Sequence, residues 1–298
     1  MPELPDIVVY IEALERRVVG AEVTKVRIAS PSVLRTFKPP YDAPTGRVVT
    51  RLQRVGKRIV FALGVAEDLF LVIHLMVAGR LRWEAPGKAI PKKVGLAAID
   101  FGDGSLILTE QGTHKRAGIW LFDAWSGVES LDRGGVEPLE VDEREFAAAL
   151  RRENRTLKRA LTDPRIFSGI GNAYSDEILW SARLSPVKRT SQLSDAEVAQ
   201  LHEAVNVGLR EWTDQLRSEV GDGWPGKVTA FRPDMAVHGK YGEACPRCGS
   251  KVQRIVYASN ETNYCATCQT EGKLLADRSL SRLLKEDWPK TIEDLEDS

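Results

Sequence analysis

The 298-residue chain carries no net charge: 42 basic residues balance 42 acidic ones. Total charge therefore does not mark it as a nucleic-acid binder. Its apolar runs all fall well short of the roughly 18 residues a membrane span needs. No basic segment precedes an apolar stretch at the N-terminus, which argues against an export signal. A cytosolic protein is expected. The sequence also lacks internal repeats and low-complexity tracts. Histidine is scarce, with four residues, and so is cysteine, also with four.

Those four cysteines are not scattered. Cys245, Cys248, Cys265 and Cys268 follow C-x2-C-x16-C-x2-C within 24 residues. In a cytosolic chain this spacing points to a tetrahedral zinc site rather than to disulfides. Each close pair bites the ion, and the residues between the pairs can form a hairpin. Four thiolates leave no open position, so the zinc is structural.

Charge is uneven along the chain. Glu286 to Ser298 hold six acids and only Lys290 as a base. Removing them leaves 41 bases against 36 acids. An acidic tail on a mildly basic body is compatible with a local basic groove.

The length suggests two domains. Leu4 to Val19 has helical periodicity, with Ile7, Ile11, Leu14 and Val18 on one face. From Ala21 to about Asp123, short runs broken by Gly, Pro and Asp predict an antiparallel sandwich. The strands expected are Glu22–Ile28, Val48–Val55, Arg58–Leu63, Leu69–His74, Leu96–Asp100, Leu106–Thr109 and Gly118–Phe122. Beyond Gly134-Gly135 the pattern turns helical, with Asp142 as a helix N-cap. Helices are expected over Glu145–Arg152, Thr156–Leu161, Tyr174–Ala182 and Ser194–Arg217. The fold class is thus α+β in two domains: a helix plus β-sandwich, then a helical domain with a zinc hairpin. The expected boundaries are 1–134, a hinge at 135–141, a helical domain at 142–236, the zinc finger at 237–276 and an acidic tail at 277–298.

Three further stretches carry chemistry. The chain starts Met1-Pro2-Glu3, and an initiator Met before Pro is ordinarily removed. The exposed proline is then a secondary amine, able to form an iminium with a sugar carbon directly. An α-amino group titrates near neutral pH, unlike an ordinary lysine. Glu3 beside it can move protons. Gly56-Lys57-Arg58, between two strands, offers a second amine, although a lone lysine at a strand edge is usually a solvated charge. Gly169-Ile170-Gly171-Asn172-Ala173-Tyr174 combines two glycines with a possible helix-capping Asn172, a turn able to face phosphate.

Together these stretches closely resemble the Fpg/Nei family of DNA glycosylase–lyases, and the likeness covers essentially the whole chain. Pro2-Glu3-Leu4-Pro5 resembles the Fpg branch. The Gly169–Tyr174 stretch looks like the family's helix–two-turn–helix signature, and the cysteines match its zinc finger. The resemblance implies a bifunctional glycosylase and abasic-site lyase of base excision repair, acting on oxidised purines such as formamidopyrimidine or 8-oxoguanine. It assigns Pro2 as nucleophile, Glu3 to proton transfer, and Lys57 to phosphate contact and catalysis. It gives DNA contacts to His74, Met76, Val77, Lys115, Arg116, Arg165, Gly171, Asn172 and Asn260. The expected partner is damaged double-stranded DNA, with single-stranded or bubble DNA as a further substrate. The expected agent is a monomer in the cytoplasm, associated with the nucleoid when bound.

The departures are specific. Val77 stands where the Fpg branch has a void-filling Met, with Met76 one step earlier. Ala117, in Thr113-His114-Lys115-Arg116-Ala117-Gly118, replaces a Phe wedge. Asn260 stands in place of the hairpin's Arg, and Arg165 in place of a Lys. A Nei-like preference for oxidised pyrimidines is the alternative substrate reading. A damage-binding protein without catalysis is the alternative of another class, disfavoured by the intact Pro2-Glu3.

Overall fold

The computed structural model describes the chain except residues 113, 227, 229, 230, 258, 259, 276–289, 297 and 298. The chain forms two compact units. One comprises Met1–Arg133 with Trp212–Thr229; the other comprises Gly134–Glu211 with Ala230–Ser298.

The first unit begins with α1, Leu4–Val18. Glu3 is its N-cap, and the Asp6 carboxylate accepts the Glu3 amide N–H at 2.9 Å. Pro5 sits in the first turn, where its missing N–H costs nothing. Two four-stranded antiparallel sheets follow. One runs β1-β6-β7-β5 and the other β2-β3-β4-β8. Their strands are β1 (Lys25–Ile28), β2 (Val49–Val55), β3 (Arg58–Leu63), β4 (Leu69–His74), β5 (Gly79–Glu84), β6 (Gly95–Asp100), β7 (Ser105–Glu110) and β8 (Gly118–Phe122). The α1 residues Ile7, Tyr10, Leu14 and Val18 share one core with both sheets, through Phe61, Leu71, Leu81 and Leu108.

Strands β3 and β4 are buried on both faces, which explains their unbroken apolar sequence. Ile59, Phe61 and Leu63 join the main core. Val60, Ala62, Phe70 and Val72 pack instead with Val128 of a short helix, α2, Trp125–Glu129. Neither α2 nor β5 was legible in the sequence. Strand β5 reads Gly-Arg-Leu-Arg-Trp-Glu, and its charged residues mask the alternation that buries Leu81.

In the second unit, α3 (Glu143–Arg151) is capped by Asp142 as expected: its side chain accepts the Glu145 N–H at 2.8 Å. Next come α4 (Leu157–Thr162), α5 (Asn172–Ser181) and α6 (Asp195–Val220), whose residues from Trp212 belong to the first unit. Strands β9 (Gln253–Val256) and β10 (Glu261–Tyr264) form the expected hairpin, followed by α7 (Ala266–Thr270). Of the acidic tail, 276–289 and the last two residues lie outside the described residues, and a short helix covers Ile292–Glu296.

The stretch after α6 is held in the first unit by aromatic packing. The Trp224 indole N–H donates to the Leu81 carbonyl at 3.0 Å. Its ring lies 5.7 Å from Tyr10 and 6.2 Å from Trp83. Arg17 stacks on it at 5.6 Å and donates to the carbonyls of Asp222 and Gly223.

Candidate active site

In the first unit the chemistry gathers at the start of α1. Pro2 is buried, and Glu3 is 2% exposed. With Met1 in place, the Pro2 nitrogen is an amide, and the amine belongs to Met1. Burial lowers that amine below its ordinary value; Glu3 opposes this, while the positive Arg80 adds to it. Asp6 and Lys57 act more weakly, with opposite signs. Two cations and two carboxylates therefore bear on one amine.

Lys57 lies in the two-residue turn between β2 and β3, where Val55 pairs with Arg58. Gly56 has φ +60, the conformation a two-residue hairpin turn requires at its first position. The turn presents Lys57 half-buried. His74 ends β4 and is also half-buried. Its pKa falls to about 4, chiefly by burial and then by the charges of Arg58 and Lys57.

A neutral His74 has a consequence for stability. The folded value lies below the unfolded value near 6.5, so the unfolded chain binds more protons between pH 6.5 and 4. Stability is complete above pH 6.5 and falls as pH drops through that window. His74 alone contributes a loss of about 2–3 kcal/mol by pH 4.5. His74→Gln should flatten the fall in urea midpoint between pH 7 and 4.5; an unaltered slope would refute the buried neutral imidazole.

The loop from β4 to β5 is a tight turn closed by the Gly79 N–H onto the Leu75 carbonyl at 2.9 Å. A Cβ on Gly79 would meet that carbonyl oxygen at 2.2 Å, so only glycine fits. Met76 has φ +53, and Val77 is 56% exposed. Val77 is thus the large apolar side chain this loop presents, while Met76 is half-buried. Arg80 braces the loop, donating to the carbonyls of Val77 and Gly79 at 3.3 and 2.7 Å. Sequence reading missed Arg80; its one available signal was a charge two residues before another arginine in a strand.

The loop from β7 to β8 is shaped by Glu110, 2% exposed. Its carboxylate accepts the N–H groups of Arg116 and Ala117 at 2.8 and 3.0 Å. The Lys115 ammonium donates to the Glu110 carbonyl, and the Arg116 side chain is exposed. Thr113 lies outside the described residues. Ala117 is 1% exposed and belongs to the main core. A Phe there would have to displace that core rather than reach out as a wedge. Ala117→Phe should destabilise the unit by about 1–3 kcal/mol, as overpacking does. An unchanged urea midpoint would contradict the buried placement.

In the second unit, α5 carries the glycine-rich turn. Gly169 has φ +82, and Gly171 rather than Asn172 is the helix N-cap. This corrects the expected capping role of Asn172. Its amide is committed elsewhere, donating to the Glu261 carbonyl of β10 at 3.0 Å. Beneath it lies a buried polar cluster that sequence reading did not find. The Lys158 ammonium donates to the Asn172 carbonyl at 2.6 Å, to Ser175 Oγ at 2.8 Å and to Asp176. Asp176, fully buried, also accepts from His238 Nδ1 at 2.7 Å and from the Asn263 amide at 3.1 Å. Glu177 accepts the amides of Ala236, Val237 and His238. A buried charge must be paired, and here the pairing joins α4, α5 and the hairpin. The visible signal was Ser175-Asp176-Glu177, three consecutive polar residues in the middle of a helix that continues Ile-Leu-Trp.

Arg165 is exposed and forked onto Asp163 at 3.0 and 2.7 Å, which holds the Asp163 pKa down to about 2. Asn260 is exposed at the hairpin turn, and its carbonyl accepts the Tyr257 N–H at 2.8 Å. Ser259 lies outside the described residues.

The four cysteine sulfurs all lie within 4.8 Å of one another. Cys245 and Cys268 are 4.0 Å apart, and Cys248 and Cys265 3.4 Å. A tetrahedron with Zn–S bonds of about 2.3 Å has edges of about 3.8 Å, so the set fits one zinc ion. The Trp180 indole N–H donates to Cys245 Sγ at 3.4 Å, fixing one ligand from outside the sphere.

Comparison with known proteins agrees with this geometry. The formamidopyrimidine-DNA glycosylase N-terminal domain matches residues 1–112, the H2TH domain of the same enzymes matches 135–215, and the zinc finger found in FPG and IleRS matches 242–270. Formamidopyrimidine-DNA glycosylase of Lactococcus lactis subsp. cremoris is 30% identical, over 90% of this chain and 99% of its own length. Among solved structures, MutM bound to DNA containing carbocyclic 8-oxo-G is similar with a TM-score of 0.79 at 30% identity, covering 90% of this chain and all of that one. The Lactococcus lactis Fpg bound to abasic-site DNA gives 0.77 at 28%, covering 90% of this chain and 99% of that one.

Proposed function

The chain belongs to the formamidopyrimidine-DNA glycosylase family, and from that premise we propose that it excises oxidised purines and cuts the abasic strand through Pro2. The observation that carries the proposal is the burial of Pro2 and Glu3 side by side at the start of α1. Once Met1 is removed, the Pro2 nitrogen attacks C1′ of a nucleotide turned out of the duplex. The bond to the damaged base breaks, and the base leaves with a proton. Glu3 protonates the sugar ring oxygen, and opening of the ring leaves an iminium on Pro2. The iminium acidifies the 2′ hydrogens. Loss of one expels the 3′ phosphate, loss of the C4′ hydrogen from the conjugated iminium that remains expels the 5′ phosphate, and water releases the proline.

The remaining groups position DNA. Lys57 contacts the phosphate beside the lesion, and His74, Lys115, Arg116 and Arg165 contribute nearby contacts. Gly171, Asn172 and Asn260 contact backbone in the other unit. None reads sequence, as suits damage in any context. The four thiolates hold zinc, which fixes the hairpin carrying Asn260 and takes no part in the chemistry. The chain works as a monomer, since one chain contains both the amine and the hairpin, and it acts in the cytoplasm. Among the described residues no helix is long and apolar enough to cross a membrane.

Val77, with Met76, is the apolar filler for the space left by the extruded nucleotide. A valine fills that space poorly, and Ala117 adds nothing. Extrusion costs a few kcal/mol in normal duplex and least for unpaired bases. Lesions in bubbles, mismatches or single strands should therefore be cleaved faster than the same lesions in duplex. Single-turnover rates on duplex, bubble and single-stranded oligonucleotides carrying 8-oxoguanine, formamidopyrimidine, thymine glycol or an abasic site test both points. A strong preference for thymine glycol would overturn the purine assignment. Equal rates in full duplex, unaffected by Val77→Ala and Met76→Ala, would overturn the weak filler.

A further inference from the structure

The zinc-finger match ends at residue 270, and the relatives compared, matched over nearly their whole lengths, cover 90% of this chain. The chain continues past that match, and the described residues there are not loose. Lys273 bridges Thr291 in antiparallel fashion. The Leu274 N–H donates to the Lys290 carbonyl at 2.9 Å, and the Ile292 N–H to the Gly272 carbonyl at 3.0 Å. The segment thus returns on itself and is tied to the end of the finger.

It also has an apolar seat. Leu274, Leu275 and Ile292 pack on Ile255 of β9, Tyr264 of β10 and Ala266 of α7, all three buried. The Leu275 N–H donates to the Tyr264 hydroxyl at 2.7 Å. In the hairpin, Ile255 pairs with Thr262 and Gln253 with Tyr264. These four share one face, because side chains alternate along a strand. Asn263 points to the other face, where its side-chain oxygen accepts the Gly239 N–H at 2.8 Å. The hairpin is therefore covered on one face by the polar cluster with α5 and on the other by the extension.

We propose that the extension is a brace seated on the zinc hairpin, slowing the local opening by which the finger loses its metal. Tyr264 adjoins the ligand Cys265, so opening of that face frees a ligand strand. The brace needs no catalysis, and it stands or falls separately from the role of Pro2. Its own residues, Leu275 and Ile292, are not among the zinc ligands.

The test compares the zinc-loaded full-length protein with Leu275→Ser/Ile292→Ser and with a chain ending at Gly272. Zinc transfer to a colorimetric chelator is followed without DNA, together with amide exchange in Gln253–Val256 and Glu261–Tyr264. The brace predicts transfer and local exchange faster by about tenfold or more in both variants, with exchange in β3 and β4 unchanged. Tyr264→Phe, which removes only the hydroxyl acceptor, should give a smaller change in the same direction. Unchanged zinc transfer in the double variant would overturn the proposal. So would exchange rising equally in β3 and β4, which would mean general unfolding. If the shortened chain does not fold, the double variant alone decides.

Discussion

Pro2→Gly is expected to lower both base excision and strand cleavage by on the order of 10³-fold, the scale on which losing a nucleophile acts. Glycine keeps a terminal amine but makes it primary and flexible. The attack then loses the fixed approach that the proline ring provides. Glu3→Gln separates two steps. Excision of an intact damaged base needs a proton on the opening sugar, and losing one acid–base group costs about 10²–10⁴-fold. An abasic site already offers the aldehyde, so nicking there should fall much less. Equal loss on both substrates would remove Glu3 from the proton-transfer role and leave it as the N-cap of α1. Retention of Met1 should abolish activity altogether, because the Pro2 nitrogen is then an amide. The mass of the N-terminus belongs beside every rate.

The second large effect concerns the metal. Cys245 is 2% exposed and Cys265 is fully buried, and both sit in one small cluster with Val237 and Val252. Structural zinc supplies about 10–16 kcal/mol of folding free energy in small fingers. Cys245→Ser should lose the ion, unfold β9 and β10 and release the Glu261 carbonyl that holds the Asn172 amide. Affinity for abasic-site duplex should fall by about 100-fold or more, while urea unfolding of the first unit stays unchanged. Less than one equivalent of zinc in fresh, reduced wild-type protein would contradict the structural site.

What the sequence revealed follows from how strongly each feature is written. The cysteine spacing leaves a single chemistry, and β3 and β4 are legible because burial on both faces makes them nearly unbroken apolar runs. Strand β5 was hidden by Arg80, Arg82 and Glu84, charges on a strand whose buried positions are Leu81 and Gly79. The sequence gives no sign that Asn172 donates to Glu261, because residues 89 apart share no periodic signal. The same holds for Lys158 with Asp176 and His238: buried ion pairs are long-range choices, and each residue alone reads as surface. Trp224 stands among glycines and Pro225, a composition without periodic signal, yet its ring supplies apolar area to α1 and β5. Ala117 was read as a missing wedge from its neighbours in the sequence. Its burial comes from Glu110 turning the loop inward, and no local pattern encodes that turn.

The central claim is that Pro2, freed of Met1, is the nucleophile. The most direct measurement is borohydride reduction of the protein on abasic-site duplex, followed by peptide mapping of the trapped adduct. The account predicts one adduct per chain, on the nitrogen of an N-terminal Pro2, absent when Met1 is retained. An adduct on Lys57, or no covalent complex from a chain proven to begin at Pro2, would contradict it.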